Sequence, residues 1–430
     1  MKQQPVPLQA FIDDKSFRDL LRTTQRRAIT WDEFLGHSLP SGVSALECWA
    51  ALESLGRCLG VHLFVGFEDD LLWYRRTYEL ESLARSLEER GAREGLLGRA
   101  LANPSSDFLQ GLWFREVHST FARAGIFLRG DDLALARGLG IAPARSVERI
   151  ALNALEMGED LSRFQDCPLD SALLEELYQG LVSGLSVEEV EHAGTLMSVS
   201  PVGEAEGVGQ LQAVSRALAY AESGEQHSED LPALRALIVS ETLRSARLYG
   251  PAYAPMASLV RRLIFMKSGL PALGLLPFSE TYASWKRGLF LPDSRYRFDE
   301  CVRSMRHTRA ERTLLCTVGL LCLNRLAEEA ESQVEQQMGM SSALEAAAFA
   351  DERFNWRQRK VIACALRDSG YECSIAAHQQ AHSVSYATAR RDLVALCEAG
   401  YLSCDQQGKA SVFVPAVGLA NLRERYLGKR

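Results

Sequence analysis

The sequence predicts a mostly α protein with a small α+β domain at its C-terminal end. Three observations carry that expectation: apolar residues recur at helical spacing through most of the chain, helix-start and helix-stop residues bracket those stretches, and the period changes from about residue 355. With 430 residues, 47% hydrophobic and 24% charged, the chain has a globular composition and is too long for one compact core, so two or three domains are expected.

Taken in order, residues 1–115 carry no recognisable motif, and Trp31, Trp49, Phe64, Phe67, Trp73 and Tyr74 read as core aromatics. The acidic run Glu68, Asp69 and Asp70 reads as a solvated turn. Residues 78–90 place Leu80, Leu83 and Leu87 on one helical face and stop at Gly91. Residues 170–181 start behind Asp170 and align Leu173, Leu174, Leu177, Tyr178 and Leu181, and residues 210–222 align Leu211, Val214, Leu218 and Ala221. The glycine cluster GEAEGVG at 203–209 matches neither a dinucleotide nor a phosphate-loop pattern and reads as a loop. A helix is expected to follow Pro255 and to end at Gly269 and Pro271, because proline lacks only an N–H that has no partner in a first turn, and glycine tolerates the left-handed stop. Being apolar on most sides, it should be buried and central. A long helix over 310–336 turns polar in its second half, and 338–354 reads as a bridge to a separate unit.

Nothing matches the length of a membrane span; Leu314 to Leu323 is the best candidate and is too short. The N-terminus shows no secretory leader, and ten cysteines without a C-x-x-C pair read as reduced core residues of a cytoplasmic protein. His378 and His382, four apart, could face a metal, but no third ligand is near, so no metal site is expected and both read as exposed polar residues. Glu241 and Arg244 read either as an i, i+3 ion pair worth tenths of a kcal/mol or as the lining of a pocket.

Residues 355–415 read as helix (Trp356 to Arg367), short strand (Glu372 to Ile375), short helix (Ala376 to His382), turn, helix (Tyr386 to Ala399) and hairpin, the order of a winged helix-turn-helix. Ser385 should cap the third helix, whose Ala389, Leu393 and Leu396 face the core while Arg391 points away, with Thr388 and Arg390 to either side. Ser385, Tyr386, Thr388, Arg390 and Arg391 suit a helix entering the major groove, and Lys409 at the hairpin tip could touch the backbone of double-stranded DNA. Charge agrees: the whole chain carries -7, yet residues 355–430 carry +5 and the rest -12.

The stretch NWRQRKVIACAL followed by SYATARRDLVALCEAGYL resembles the winged-helix tail of bacterial Fic-family proteins. Residues 148–184 (ERIALNALEMGEDLSRFQDCPLDSALLEELYQGLVSG) and 231–271 (LPALRALIVSETLRSARLYGPAYAPMASLVRRLIFMKSGLP) are similar to that family's helices and active loop, so the resemblance covers about 116–415. It implies a helical Fic-like body, here 116–345, between an N-terminal helical region at 1–115 and the winged-helix domain at 350–430.

Fic enzymes transfer a nucleotide, usually AMP, to a protein hydroxyl through a loop of the form HPFxDGNGR. In this chain the loop falls on Arg247 to Pro255: Arg247 stands at the histidine, Pro251 at the acid, Ala252, Tyr253 and Ala254 at Gly-Asn-Gly, Pro255 at the arginine and Ser258 at the second arginine. An arginine is no base, proline binds no metal, and Pro255 offers no N–H to a phosphate. A shift of three residues restores an arginine at Arg261 but loses the glycine-proline stop. The family's inhibitory pattern S/T-x-x-x-E-G is nearest at Thr120 to Gly125, with Ala124 at the glutamate. The resemblance therefore implies a degenerate loop, and no cofactor is expected; together with the winged-helix pattern it leads to a DNA-binding transcriptional regulator whose inactive body senses a ligand or forms a homodimer. The N-terminal region is a candidate surface for a protein partner, and no membrane partner is expected. The alternatives are a divergent Fic-type AMP transferase and a pseudoenzyme scaffold.

Overall fold

The computed structural model describes residues 8–67, 69–102, 107–129, 133, 143, 145–197, 204–223, 231–290, 293–308, 310–368, 370–407, 410–416 and 419. It is mostly α with two small sheets, and it divides into Met1–Ala330 and Glu331–Arg430.

In the first unit the helices are α1 (Leu8–Asp13), α2 (Lys15–Arg26), α3 (Trp31–Leu35), α4 (Ala45–Leu59), α5 (Tyr78–Gly91), α6 (Leu96–Leu101), α7 (Asp107–Arg123) and α8 (Ser146–Glu159). They are followed by α9 (Ser171–Leu181), α10 (Val187–Leu196), α11 (Glu204–Glu222), α12 (Pro232–Ala246), α13 (Tyr253–Lys267), α14 (Phe278–Lys286) and α15 (Phe298–His307). Helix α16 (Thr313–Ala350) passes from the first unit into the second. Many starts are fixed by side chains that accept an otherwise orphaned N–H: Asp14, Thr30, Ser44, Thr77, Asp170 and Ser186 each cap the helix that follows.

Helices α12 and α13 form the centre of this unit. Almost every residue of α13 from Tyr253 to Phe265 is buried, as its all-round apolar pattern demands. The helix begins at Tyr253, three residues before the expected start at Met256, so Pro255 lies inside the first turn, where its missing N–H removes no helical bond. Its end is a Schellman turn: Gly269 takes φ 75°, its N–H bonds Met266 O at 3.1 Å, and the Leu270 N–H bonds Phe265 O at 2.8 Å.

Three local expectations are corrected. Residues 61–74 form an antiparallel hairpin, β1 (Val61–Val65) and β2 (Leu71–Tyr74), absent from the sequence reading. Trp73 and Tyr74 are buried on it, whereas Phe67 at its turn is 37% exposed and is no core residue. The segment before α16 joins this hairpin, the Arg312 N–H donating to Trp73 O at 2.8 Å, so residues 1–115 belong to the same compact unit as the helices that follow. Residues 204–209 of the glycine cluster are helical and not a loop, since two isolated glycines cost a helix about 1 kcal/mol each and α11 continues for three further turns. The stretch 338–350 continues α16, and its Leu344 and Ala348 are buried in the core of the second unit.

The second unit continues with α17 (Trp356–Arg367), β3 (Cys373–Ser374), α18 (Ile375–His382), α19 (Tyr386–Glu398), β4 (Leu402–Gln407) and β5 (Ala410–Pro415). The strands form one antiparallel sheet in the order β3-β5-β4, with Cys373 opposite Phe413 and Cys404 also opposite Phe413 on the other side. Ile362, Ala389, Leu393 and Leu396 are fully buried between these elements.

All ten cysteines are free thiols; five are buried, while Cys58 and Cys404 are exposed and do not belong to the core. Among the described residues no helix is long and apolar enough to cross a membrane, and no group of His, Cys, Asp and Glu could hold a metal.

Candidate functional site

The expected DNA-reading residues share one end of α19. Ser385 caps it, its hydroxyl accepting the Thr388 N–H at 3.2 Å and sharing a hydrogen bond with the Thr388 hydroxyl at 2.9 Å. Tyr386 is 57% exposed, Arg390 and Arg391 are exposed, and Thr388 is half-buried. Among the described residues neither Arg390 nor Arg391 has a carboxylate partner. Lys409 lies outside the described residues. Over the whole unit the positive surplus shrinks: residues 331–354 hold five acids and one arginine, so Glu331–Arg430 carries a formal +1 against +5 for 355–430.

Behind the arginines stands Asp392, to which the sequence assigned no role. Asp392 is 3% exposed, and its carboxylate accepts Asn355 Nδ2 at 2.9 Å and Arg357 Nε at 2.7 Å, with His378 Nε2 at 3.3 Å. Its backbone carbonyl accepts Gln358 Nε2 at 3.1 Å. Burial pushes the carboxyl up, and the bonds from Arg357, Asn355 and His378 more than reverse this, holding it below the usual carboxylate range. His378 is therefore buried at 2% exposure and not an exposed polar residue, because Asp392 and the ring of His382, 4.6 Å away, take it into the core. His382 in turn packs against Trp356, which is 56% exposed.

The second candidate is the loop at 247–258. Arg247 is an exposed left-handed cap on α12 with φ 52°, and its guanidinium lies 5.7 Å from the Tyr253 ring centre. Pro251, Tyr253, Pro255 and Ser258 are all buried. A 3-10 turn over Gly250–Ala252 leads directly into α13, so the Ala252 N–H already bonds Tyr249 O at 2.9 Å and the Tyr253 N–H bonds Gly250 O. With Pro255 lacking its own, the turn offers few of the free N–H groups that an anion requires at a helix N-terminus.

Ser258 faces inward onto a buried ionic cluster. Glu116, fully buried on α7, accepts Ser258 Oγ at 2.7 Å, Ser279 Oγ at 2.9 Å and Ser279 N at 2.8 Å, and pairs with the equally buried Arg261 at 2.9 Å. Thr120, which the sequence placed in the inhibitory pattern, joins it through Ser258 at 3.0 Å and Ser279 at 2.9 Å. Nearby, Arg123 grips Glu241 with two bonds of 2.9 and 3.0 Å and lies 3.5 Å over the Tyr282 ring, while Arg244 sits 3.5 Å from Glu241. Glu241 and Arg244 thus form the expected i, i+3 pair, but within a buried network that also includes Arg123. Glu241 also lines a small apolar cavity with Tyr282, Trp285, Cys301 and Cys322.

Burial opposes ionisation of Glu116 and Glu241, yet Arg261 beside the first and Arg123 beside the second hold both below the usual range. Burial and the neighbouring Arg123 lower Arg244 to about 10, so it remains a cation. The hydroxyls of Ser258, Ser279 and Thr120 are committed to Glu116 and closed to solvent, which gives this part the character of a structural network rather than an open reaction centre. The sequence reading missed it. Its signal was Arg261, a charged residue three positions from Ser258 in a helix that is apolar on most sides.

No protein-family profile matches the chain, and no curated protein matches it. Among solved structures it is similar to the crystal structure of a Fic family protein from Desulfovibrio desulfuricans G20, with a TM-score of 0.45 and 17% identity over 80% of this chain and 98% of that one.

Proposed function

We propose that this chain is a DNA-binding transcriptional regulator of a bacterial cytoplasm. Its C-terminal unit acts as a winged helix-turn-helix that presents α19 to the major groove. The observation that carries this reading is the pair Arg390 and Arg391, exposed on the first turns of α19 and without a carboxylate partner among the described residues, while Ala389 and Leu393 anchor the helix's other side. Paired guanidinium groups at such a position fit guanine edges or phosphates, and Tyr386 and Thr388 add hydroxyl donors. The body, with the sequence resemblance to Fic proteins described above, senses a ligand or dimerises and transfers no nucleotide. Arg247 and Pro251 in place of base and metal ligand, and the closed turn before α13, support that part.

A second reading, in which the C-terminal unit docks a protein, is favoured by its net formal charge of only +1 and by the exposed Trp356 and Tyr386. Capture of sheared genomic DNA separates the two. The regulator reading expects the wild-type chain to retain DNA and the Arg390→Ala, Arg391→Ala chain to release it; equal retention by both, or none by either, contradicts it.

A further inference from the structure

We infer that Asp392 is the positioning residue of α19, the group that fixes how Arg390 and Arg391 are presented. The inference rests on the DNA-binding reading and assigns its sequence specificity to a residue that touches no DNA.

Four side chains from two other helical segments converge on this one residue. Asn355, which caps α17, and Arg357 in its first turn bond the carboxylate, Gln358 bonds the backbone carbonyl, and His378 approaches from α18. Packing does not require this arrangement, since Ala389, Leu393 and Leu396 already supply α19 with a fully buried apolar face. Ion pairs taken out of water contribute little net stability, but they impose direction: the Arg357 guanidinium meets the carboxylate with Nε at 2.7 Å and Nη2 at 3.3 Å, a geometry that survives only one rotation of α19 about its axis.

Rotation is the relevant freedom. An apolar stripe tolerates some turning, whereas a turn of about 20° carries a group at the rim of a helix, about 5–6 Å from the axis, through about 2 Å. That displacement exceeds the roughly 0.5 Å range over which a base-edge hydrogen bond is made. Asp392 adjoins Arg391 in the chain and lies two residues from Arg390, so the clamp acts within half a turn of the groups it aims. Phosphate contacts, which are long-range and less directional, depend on it far less.

The test uses the full-length chain as wild type, Asp392→Asn and Arg357→Gln, the last being the milder change at the half-buried partner. A duplex enriched from a random double-stranded library by the wild-type chain is titrated beside a scrambled duplex, with circular dichroism and a thermal melt confirming that each variant is folded. Both variants should bind the enriched duplex about tenfold or more weakly, bind the scrambled one within about twofold of wild type, and keep the wild-type salt slope. Folded variants that retain the wild-type preference overturn the inference, as does an equal loss on both duplexes. If the wild-type chain enriches no sequence and binds no duplex, the DNA-binding reading itself has failed, an outcome distinct from a specific wild type with indifferent variants.

Discussion

Glu116 and Arg261 are both withdrawn completely from solvent, so each depends on the other and on the hydroxyls of Ser258 and Ser279. Removing one partner strands a buried charge, which typically costs about 3–5 kcal/mol. Glu116→Gln should therefore lower the unfolding free energy by about that amount in urea titration, and an unchanged midpoint and slope would contradict the buried pairing. In the C-terminal unit two shifts set the pH response. Burial, then His378, Lys360 and Arg357, lower the His382 imidazole below its usual value against the opposing pull of Asp392. The unfolded chain thus takes up that proton first, and stability falls as pH drops through about 6.5. The Asp392 carboxyl lies below its usual range, so its contribution is present above the unfolded carboxylate pKa and lost as pH falls through the folded one. Thermal melts from pH 8 to pH 3 should show both declines, and His382→Gln should remove the upper one.

At the scale of elements, Ser385→Ala removes the acceptor for the Thr388 N–H and the partner of its hydroxyl, and should cost about 1 kcal/mol of stability by chemical unfolding. No change would show that water caps α19 equally well. Elements of this kind were legible in the sequence because their determinants are local: Asp170 and Ser385 cap the helices behind them, and Gly269 provides the left-handed stop. The β1 and β2 hairpin was not legible, since its strands of five and four residues are joined by GFEDD, which lacks a two-residue turn signal, and the second neighbour of β2 comes from residues 310–312, far along the chain. Asp392 escaped for the same reason: a polar residue on a wheel reads as solvent-facing until Asn355, Arg357 and His378 are brought to it from 14 to 37 positions away. The buried cluster likewise draws on α7, α12, α13 and α14, and no local window contains it.

For the whole molecule the sequence established that most of the negative charge lies in the first unit and that the surplus of positive charge lies in residues 355–430. The structure narrows this, because the acids of 331–354 belong to the same unit and leave it close to neutral. On the proposed DNA-binding reading, affinity would rest not on bulk charge but on particular groups, of which Arg390 and Arg391 are the two exposed cations on the candidate helix. The body should show no label transfer from ATP to protein, and incorporation that depends on the 247–258 loop would restore the transferase reading. The most direct measurement is fluorescence anisotropy of a labelled duplex titrated with the full-length chain and its Arg390→Ala, Arg391→Ala variant between about 50 and 200 mM salt. The account predicts that wild type binds with an affinity that falls steeply with salt, and that the folded variant binds at least about tenfold more weakly with a shallower slope. Equal affinities and slopes for the two chains, or no binding by wild type, would contradict it.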